Sequence, residues 1–156
     1  MSDFVAAPPA PAPTVGDVIA ADWWPEVKIS EFRDAVRIGT NVTAGRCRDA
    51  LIAAMGTVAI ALSAWRIARE ADGATSLADI AGPTIAGEKV LLQRWRRAVY
   101  SFAAADLADT QSDITATNEG RDRREERAAS SDDHRRNGTS AIRDILGKTR
   151  TKAVLI

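Results

Sequence analysis

Between residues 43 and 71, apolar side chains return at three- and four-residue steps: Cys47, Leu51, Met55, Val58, Leu62 and Trp65. That spacing predicts one long helix whose stripe faces a core. Gly56 interrupts it, at a cost of about 1 kcal/mol relative to Ala, and is expected to mark the close approach of another helix. Asp72-Gly73 supplies the stop. A shorter helix over residues 30–39 precedes it, with Ser30 as N-cap and Phe32, Val36 and the stems of Arg33 and Arg37 as its apolar side. A third is predicted over residues 88–109, with Leu91 or Leu92, Trp95, Val99, Phe102 and Ala105 or Asp106 on one side. Between them, residues 75–87 form a connection in which Leu77 and Ile80 touch the core and Gly82-Pro83 turns the chain.

The pattern then changes. Residues 110–120 are polar and read as a loop, and charges alternate from Arg121 to Arg127 at spacings that permit ion pairs. This suits an exposed helix packed only at Ala128 and Ala129. Gly138 breaks or weakens it, Thr139 or Ser140 recaps it, Ile142, Ile145 and Leu146 give it an apolar face, and Gly147 ends it. No internal repeat and no strand pattern of useful length occurs. The expectation is an all-α fold, a bundle of long antiparallel helices with an extended N-terminal arm and an extended C-terminal tail.

The two ends carry the most pointed signals. Residues 1–13 hold Pro8, Pro9, Pro11 and Pro13 among alanines, a composition for an extended segment with little to bury. Trp23 and Trp24 precede Pro25 and are biased toward extended backbone. Two adjacent indoles on an extended segment cannot both face one core, which leaves two readings: one anchors the arm on its own bundle while the other meets a neighbouring subunit, or the pair forms a simple lid over the core. At the other end come Lys148, Thr149, Arg150, Thr151, Lys152, Ala153, Val154, Leu155 and Ile156. Three cations beside three large apolar side chains, with little room for them in the domain, point to a docking tail that a partner buries. The expected division is an arm at 1–29, a helical domain at 30–147 and a tail at 148–156.

Composition narrows the function. A chain of 156 residues makes one domain plus tails. With 21 basic and 21 acidic residues the net charge is zero, so no global field draws it to polyanions. Ala and Arg, both heavily used, favour helix. The single Cys47 excludes an internal disulfide and reads as a packed thiol. His134 stands alone beside Asp133, adjacent in sequence and therefore diverging on a helix, so it reads as a solvated surface histidine. One Cys and one His cannot build a structural zinc site, and no phosphate-cradling glycine loop occurs. Catalytic, cofactor-binding and metal-binding residues are all expected to be none. Arg94, Arg96 and Arg97 do not share one narrow face and read as a solvated flank. A helix-turn-helix reader around residues 42–51 is disfavoured because its second helix is too long. No apolar stretch reaches the ~20 residues of a membrane span, and Asp3 stands where a signal peptide carries positive charge. Use in the cytoplasm, or inside something assembled there, is expected.

Several segments in fixed order resemble the head-completion protein family (gpL-type) of temperate contractile-tailed bacteriophages. They are Trp23-Trp24-Pro25, residues 32–38 with 40–51, residues 77–81, residues 94–103, and residues 141–147 ahead of the apolar tail. The resemblance implies a non-enzymatic structural protein of the virion neck, assembled in the host cytoplasm. Such a protein joins the portal vertex after DNA packaging as a ring of about twelve copies, stabilises packaged DNA and prepares the head for the tail. Its implied partners are the portal protein, copies of itself, a further neck or tail-terminator protein and, non-specifically, DNA in the channel; a membrane is not among them. The competing readings are a small helical DNA-binding regulator and a transient packaging factor.

Overall fold

The computed structural model describes residues 16–36, 42–111 and 118–148, with backbone alone at 111 and 118–130. The Pro/Ala segment, the expected first-helix end near residue 39, most of the 110–120 loop and residues 149–156 lie outside the described residues. The side chains of the alternating charges at 121–127 and of Ala128 and Ala129 do so too. Five helices dominate: α1 (Ile29–Val36), α2 (Ala44–Ala61), α3 (Ser63–Ala71), α4 (Val90–Gln111) and α5 (Asn118–Ile145).

The all-α expectation is corrected by two small antiparallel sheets. In the first, β1 (Val18–Ile19) pairs with β2 (Val27–Lys28), and in the second β3 (Thr84–Ile85) pairs with β4 (Glu88–Lys89). Two-residue strands are too short to leave an alternation in the sequence. In the β3–β4 hairpin both central residues, Ala86 and Gly87, take positive φ, 53° and 78°. This is the backbone of the two-residue turn whose twist matches a hairpin, with Ala in place of the usual Asn or Asp.

The packed domain reaches back to Asp17. Its carboxylate accepts hydrogen bonds from the Ser30 N–H and Ser30 Oγ–H, both at 2.7 Å, and its carbonyl accepts from the Ile29 N–H at 2.9 Å. Ser30, expected to cap α1, is therefore itself bonded by a residue from the preceding segment. These Ser30 bonds hold the Asp17 carboxyl below its usual range.

The predicted helix over 43–71 starts as expected, with Thr43 Oγ1 accepting from the Arg46 N–H at 3.3 Å, but it is two helices. α2 and α3 meet at Leu62 with a bend of 63°. No glycine or proline stands at the bend, and Gly56 lies inside unbroken helix. Leu62 itself is fully buried, so tertiary packing turns the chain there.

All four tryptophans form one run through the core. Trp65 of α3 meets Trp23 edge-on at 6.3 Å, Trp23 meets Trp24 edge-on at 4.6 Å, and Trp24 stacks flat on Trp95 of α4 at 4.3 Å. The segment bends at residues 22–24, which lets both neighbouring indoles face inward. Its carbonyl at Trp23 accepts from the Leu77 N–H at 3.1 Å, which docks the short 3-10 turn Leu77–Asp79.

α4 lies at the centre. α2 packs along one side of it and α5 along another, and its inward face is Trp95, Val99 and a series of alanines at 98, 103, 104 and 105. α5 runs antiparallel to α4, because Arg94 reaches Asp144, Phe102 faces Gly138 and Asp109 reaches Arg135. Gly138 neither breaks α5 nor calls for a new cap. A Cβ there would stand 2.7 Å from Phe102 Cε2, so its missing side chain is what lets the two helices approach.

Candidate functional site

The C-terminal exit of α5 is the best-defined structural feature near the expected docking tail. α5 is polar over much of its length but anchors its last turns through buried Ala141 and Ile145. It stops at Gly147, φ 66°. The Lys148 N–H donates to the Arg143 carbonyl at 3.0 Å and the Gly147 N–H to the Asp144 carbonyl at 3.4 Å. That paired arrangement is the Schellman ending, and glycine fits it because it has no Cβ to clash at positive φ.

Arg94 locks this exit from α4. Its Nη1 donates to the Asp144 carbonyl at 3.0 Å, which places a cation on the negative end of the α5 dipole. Direction and position of the chain at Lys148 are thereby set by two helices. Lys148 is exposed at that point, and Thr149, Arg150, Thr151, Lys152, Ala153, Val154, Leu155 and Ile156 lie outside the described residues.

The arginine triplet is accordingly not a uniform solvated flank. Arg94 clamps α5, and Arg96 forms a two-pronged pair with Glu88 of β4, one arm at 3.0 Å, which keeps its guanidinium firmly charged. Only Arg97 faces solvent. It borders a groove of about 370 Å³ between α1, α4 and α5, whose lining includes Val36, Arg96, Tyr100, Ser101 and His134. His134 is half-buried at the edge of this groove rather than fully solvated. Asp133 turns away from it and pairs with Arg136 at 2.9 Å. The Tyr100 hydroxyl is buried without a hydrogen-bond partner, and burial pushes its pKa up to about 12.

A second polar cluster stitches the far end of the α4–α5 seam. Buried Ser131 donates to Asp109 Oδ1 at 2.7 Å and accepts from Arg135 Nη1 at 2.8 Å, and Arg135 also pairs with Asp109. The residues are legible as polar in the sequence, but their meeting across 22 or more positions is not. Cys47 is fully buried with its sulfur 3.9 Å from Arg33 Nη1, and burial raises its pKa, which keeps it a thiol. Among the described residues, no group of three or more His, Cys, Asp or Glu gathers to hold a metal ion, and no single helix is long and apolar enough to cross a membrane.

Trp23 and Trp24 are 3% and 7% exposed. Both indoles are packed into this chain's own core. The arrangement offers an α4–α5 pair whose C-terminal exit is held by Arg94 and the Gly147 turn.

The model of the phage head completion protein (GPL) family matches residues 18–156. The head completion/stabilization protein of Escherichia phage P2 is 27% identical over 128 residues, covering 82% of this chain and 76% of that protein. No solved structure matches the chain.

Proposed function

Because this chain belongs to the phage head completion protein (GPL) family, we propose that it acts as a ring-forming adaptor between the portal vertex and the tail. Its coarse role, a structural virion component used in completing the head, comes with the family. In the finer reading, copies join head to tail around a closed axis into a ring of about twelve. The ring seats on the portal protein in the virion neck after packaging, having assembled in the host cytoplasm. It stabilises packaged DNA through non-specific, salt-sensitive phosphate contacts and presents a platform to the next neck or tail-terminator protein.

The observation that carries this reading is the locked end of α5. With Arg94 and the Gly147 turn setting the exit, every copy in a ring delivers residues 148–156 from an equivalent position. Lys148, Arg150 and Lys152 then supply charge, and Val154, Leu155 and Ile156 supply apolar area, for docking on portal subunits. A short segment binds weakly alone, but repetition around a ring multiplies it. Within this reading the chain divides functionally into the helical body and the tail at 148–156.

Deleting residues 149–156 tests the proposal. The truncated protein should keep its helical circular dichroism and its melting temperature and should no longer retain portal in a pull-down. Undiminished portal retention would remove the docking role from the tail. Purified particles should contain the protein at ring stoichiometry; its absence from finished particles would favour a transient packaging factor or a regulator.

A further inference from the structure

Two uncharged stretches of this chain reach the surface, and they have opposite shapes. No residue from 50 to 65 is charged, and none from 80 to 87. The first lies mostly on α2, whose inner side, Leu51, Ala54, Met55 and Val58, is buried against the core. Its outer side carries Ile52, Gly56 and Ile60 at four-residue steps, one above the other. Ile52 is 48% exposed and Ile60 76%. Among the described residues, a Cβ at Gly56 would meet nothing within 4 Å, which leaves an open notch between the two isoleucines. Thr57 beside it turns its hydroxyl hydrogen back to the Ala53 carbonyl at 3.0 Å, so that donor needs no water.

The second stretch is a knob. Residues 81–87 are all exposed, and at the tip of the β3–β4 hairpin Ile85 is 60% exposed. Carbonyls of the hairpin are bonded by its own chain: Gln93 Nε2 donates to those of Ile85 at 2.7 Å and Glu88 at 3.2 Å, and the Val90 N–H donates to that of Pro83 at 2.9 Å. Lys89 Nζ holds the Ile80 carbonyl at 3.1 Å, and Arg96 holds the Glu88 carboxylate. This bracing fixes the hairpin at the start of α4 and leaves Ile85 and Ala86 exposed. Ala86 departs from ordinary turn chemistry, because its φ of 53° suits Asn, Asp or Gly and Ala holds it at a steric cost. What Ala contributes is a tip with no polar side chain to desolvate.

We infer that two copies of this chain meet here, the Ile85 knob of one seated in the Ile52-Gly56-Ile60 notch of the next. Within one chain the two surfaces stay apart, because no described residue comes within 4 Å of a Cβ at Gly56 and Ile85 is open to solvent; the match is made between copies. A branched apolar side chain faces a gap flanked by two others, and neither side carries a charge that would have to leave water. Knob and notch are different patches, so the contact runs head to tail, and its repetition closes a ring rather than a twofold pair. The inference rests on the ring reading and names the surfaces that build the ring. Each contact is small, but in a closed ring every copy is held on two sides.

Phage particles carrying Ala53→Cys beside the notch and Thr84→Cys beside the knob, both at exposed positions, test this after treatment with a short bismaleimide; Cys47 is fully buried and stays unmodified. The doubly substituted chain should run on a denaturing gel as a ladder of dimers, trimers and larger species, and each single substitution should yield none. Adding Ala86→Asn, which relieves the turn but wets the tip, should keep the melting temperature of the purified chain and lower the ladder, or the amount of protein retained, at least threefold. Ile60→Lys should do the same. Protein retained at ring stoichiometry without a ladder, or with a ladder unchanged by either substitution, overturns this contact and leaves the ring reading standing. Cross-links from a singly substituted chain, or a ladder ending at dimers, assign a twofold pair and overturn both, as does absence of the unsubstituted chain from particles.

Discussion

α2 and α5 flank the same central helix and invert the usual relation between composition and burial. α2 is uncharged over most of its length yet leaves one full side of isoleucine and alanine uncovered. α5 is among the most charged stretches of the chain, yet it approaches α4 closely enough that Gly138 has no room for a methyl group. Apolar content measures what a helix is able to bury. How closely it packs depends on small residues at the contact and on polar side chains that find partners there, as Ser131, Asp109 and Arg135 do.

Leu62 and Ile60 are close in sequence, yet one is fully buried and the other exposed. Leu62→Asp places an unpaired charge where no solvent reaches, and a cost of several kcal/mol is expected. Ile60→Asp meets water and should leave the melting temperature within a few degrees. Thermal unfolding followed by circular dichroism separates the two; similar losses in both would mean that the outer side of α2 is buried in the free protein.

The α4–α5 seam is tested next. Gly138→Leu should cost about 1–3 kcal/mol through overpacking against Phe102, outweighing any gain in helix propensity. Adding Phe102→Ala should recover part of that loss in a double-mutant cycle, because the two positions share one space. Strict additivity in urea titrations would show that the helices do not meet at this point.

The smallest effect concerns a flaw on another side of α4. Removing the buried, unpartnered Tyr100 hydroxyl in Tyr100→Phe is expected to be neutral or to stabilise by up to about 1 kcal/mol. Its pKa is raised to about 12 in the folded chain, against about 10 when unfolded. The folded state therefore holds the proton more tightly, and this contribution is complete below pH 10 and lost as pH rises toward 12. Wild-type stability should fall across that window more steeply than the stability of Tyr100→Phe; parallel curves would show a solvated hydroxyl.

Several elements were legible before any coordinates. Thr43 as a helix start, the stripe through Leu62, the third helix and the stop at Gly147 all follow from local periodicity and capping chemistry, which act over four or five residues. Where the structure departs from local chemistry, one cause recurs. Ser30 has the chemistry to cap its own helix, but Asp17 bonds it from across a loop. The expected break at Gly138 is a close approach, and the bend falls instead at Leu62, where no breaker residue stands. Arg94, solvated by its local pattern, clamps a helix end fifty positions away. In each case the deciding partner is distant in sequence.

Read alone, the amino-acid order specifies a predominantly helical chain with a cationic, apolar-ended tail, because helix propensity, periodicity and residue inventory are local properties. Tertiary structure alone decided the rest. It gathered Trp65, Trp23, Trp24 and Trp95 into one run, turned the outer side of α2 toward solvent, and set the exit of α5 with an arginine from α4. Each of these depends on which surfaces meet in space, and an amphipathic pattern states that a face is to be covered without stating by what.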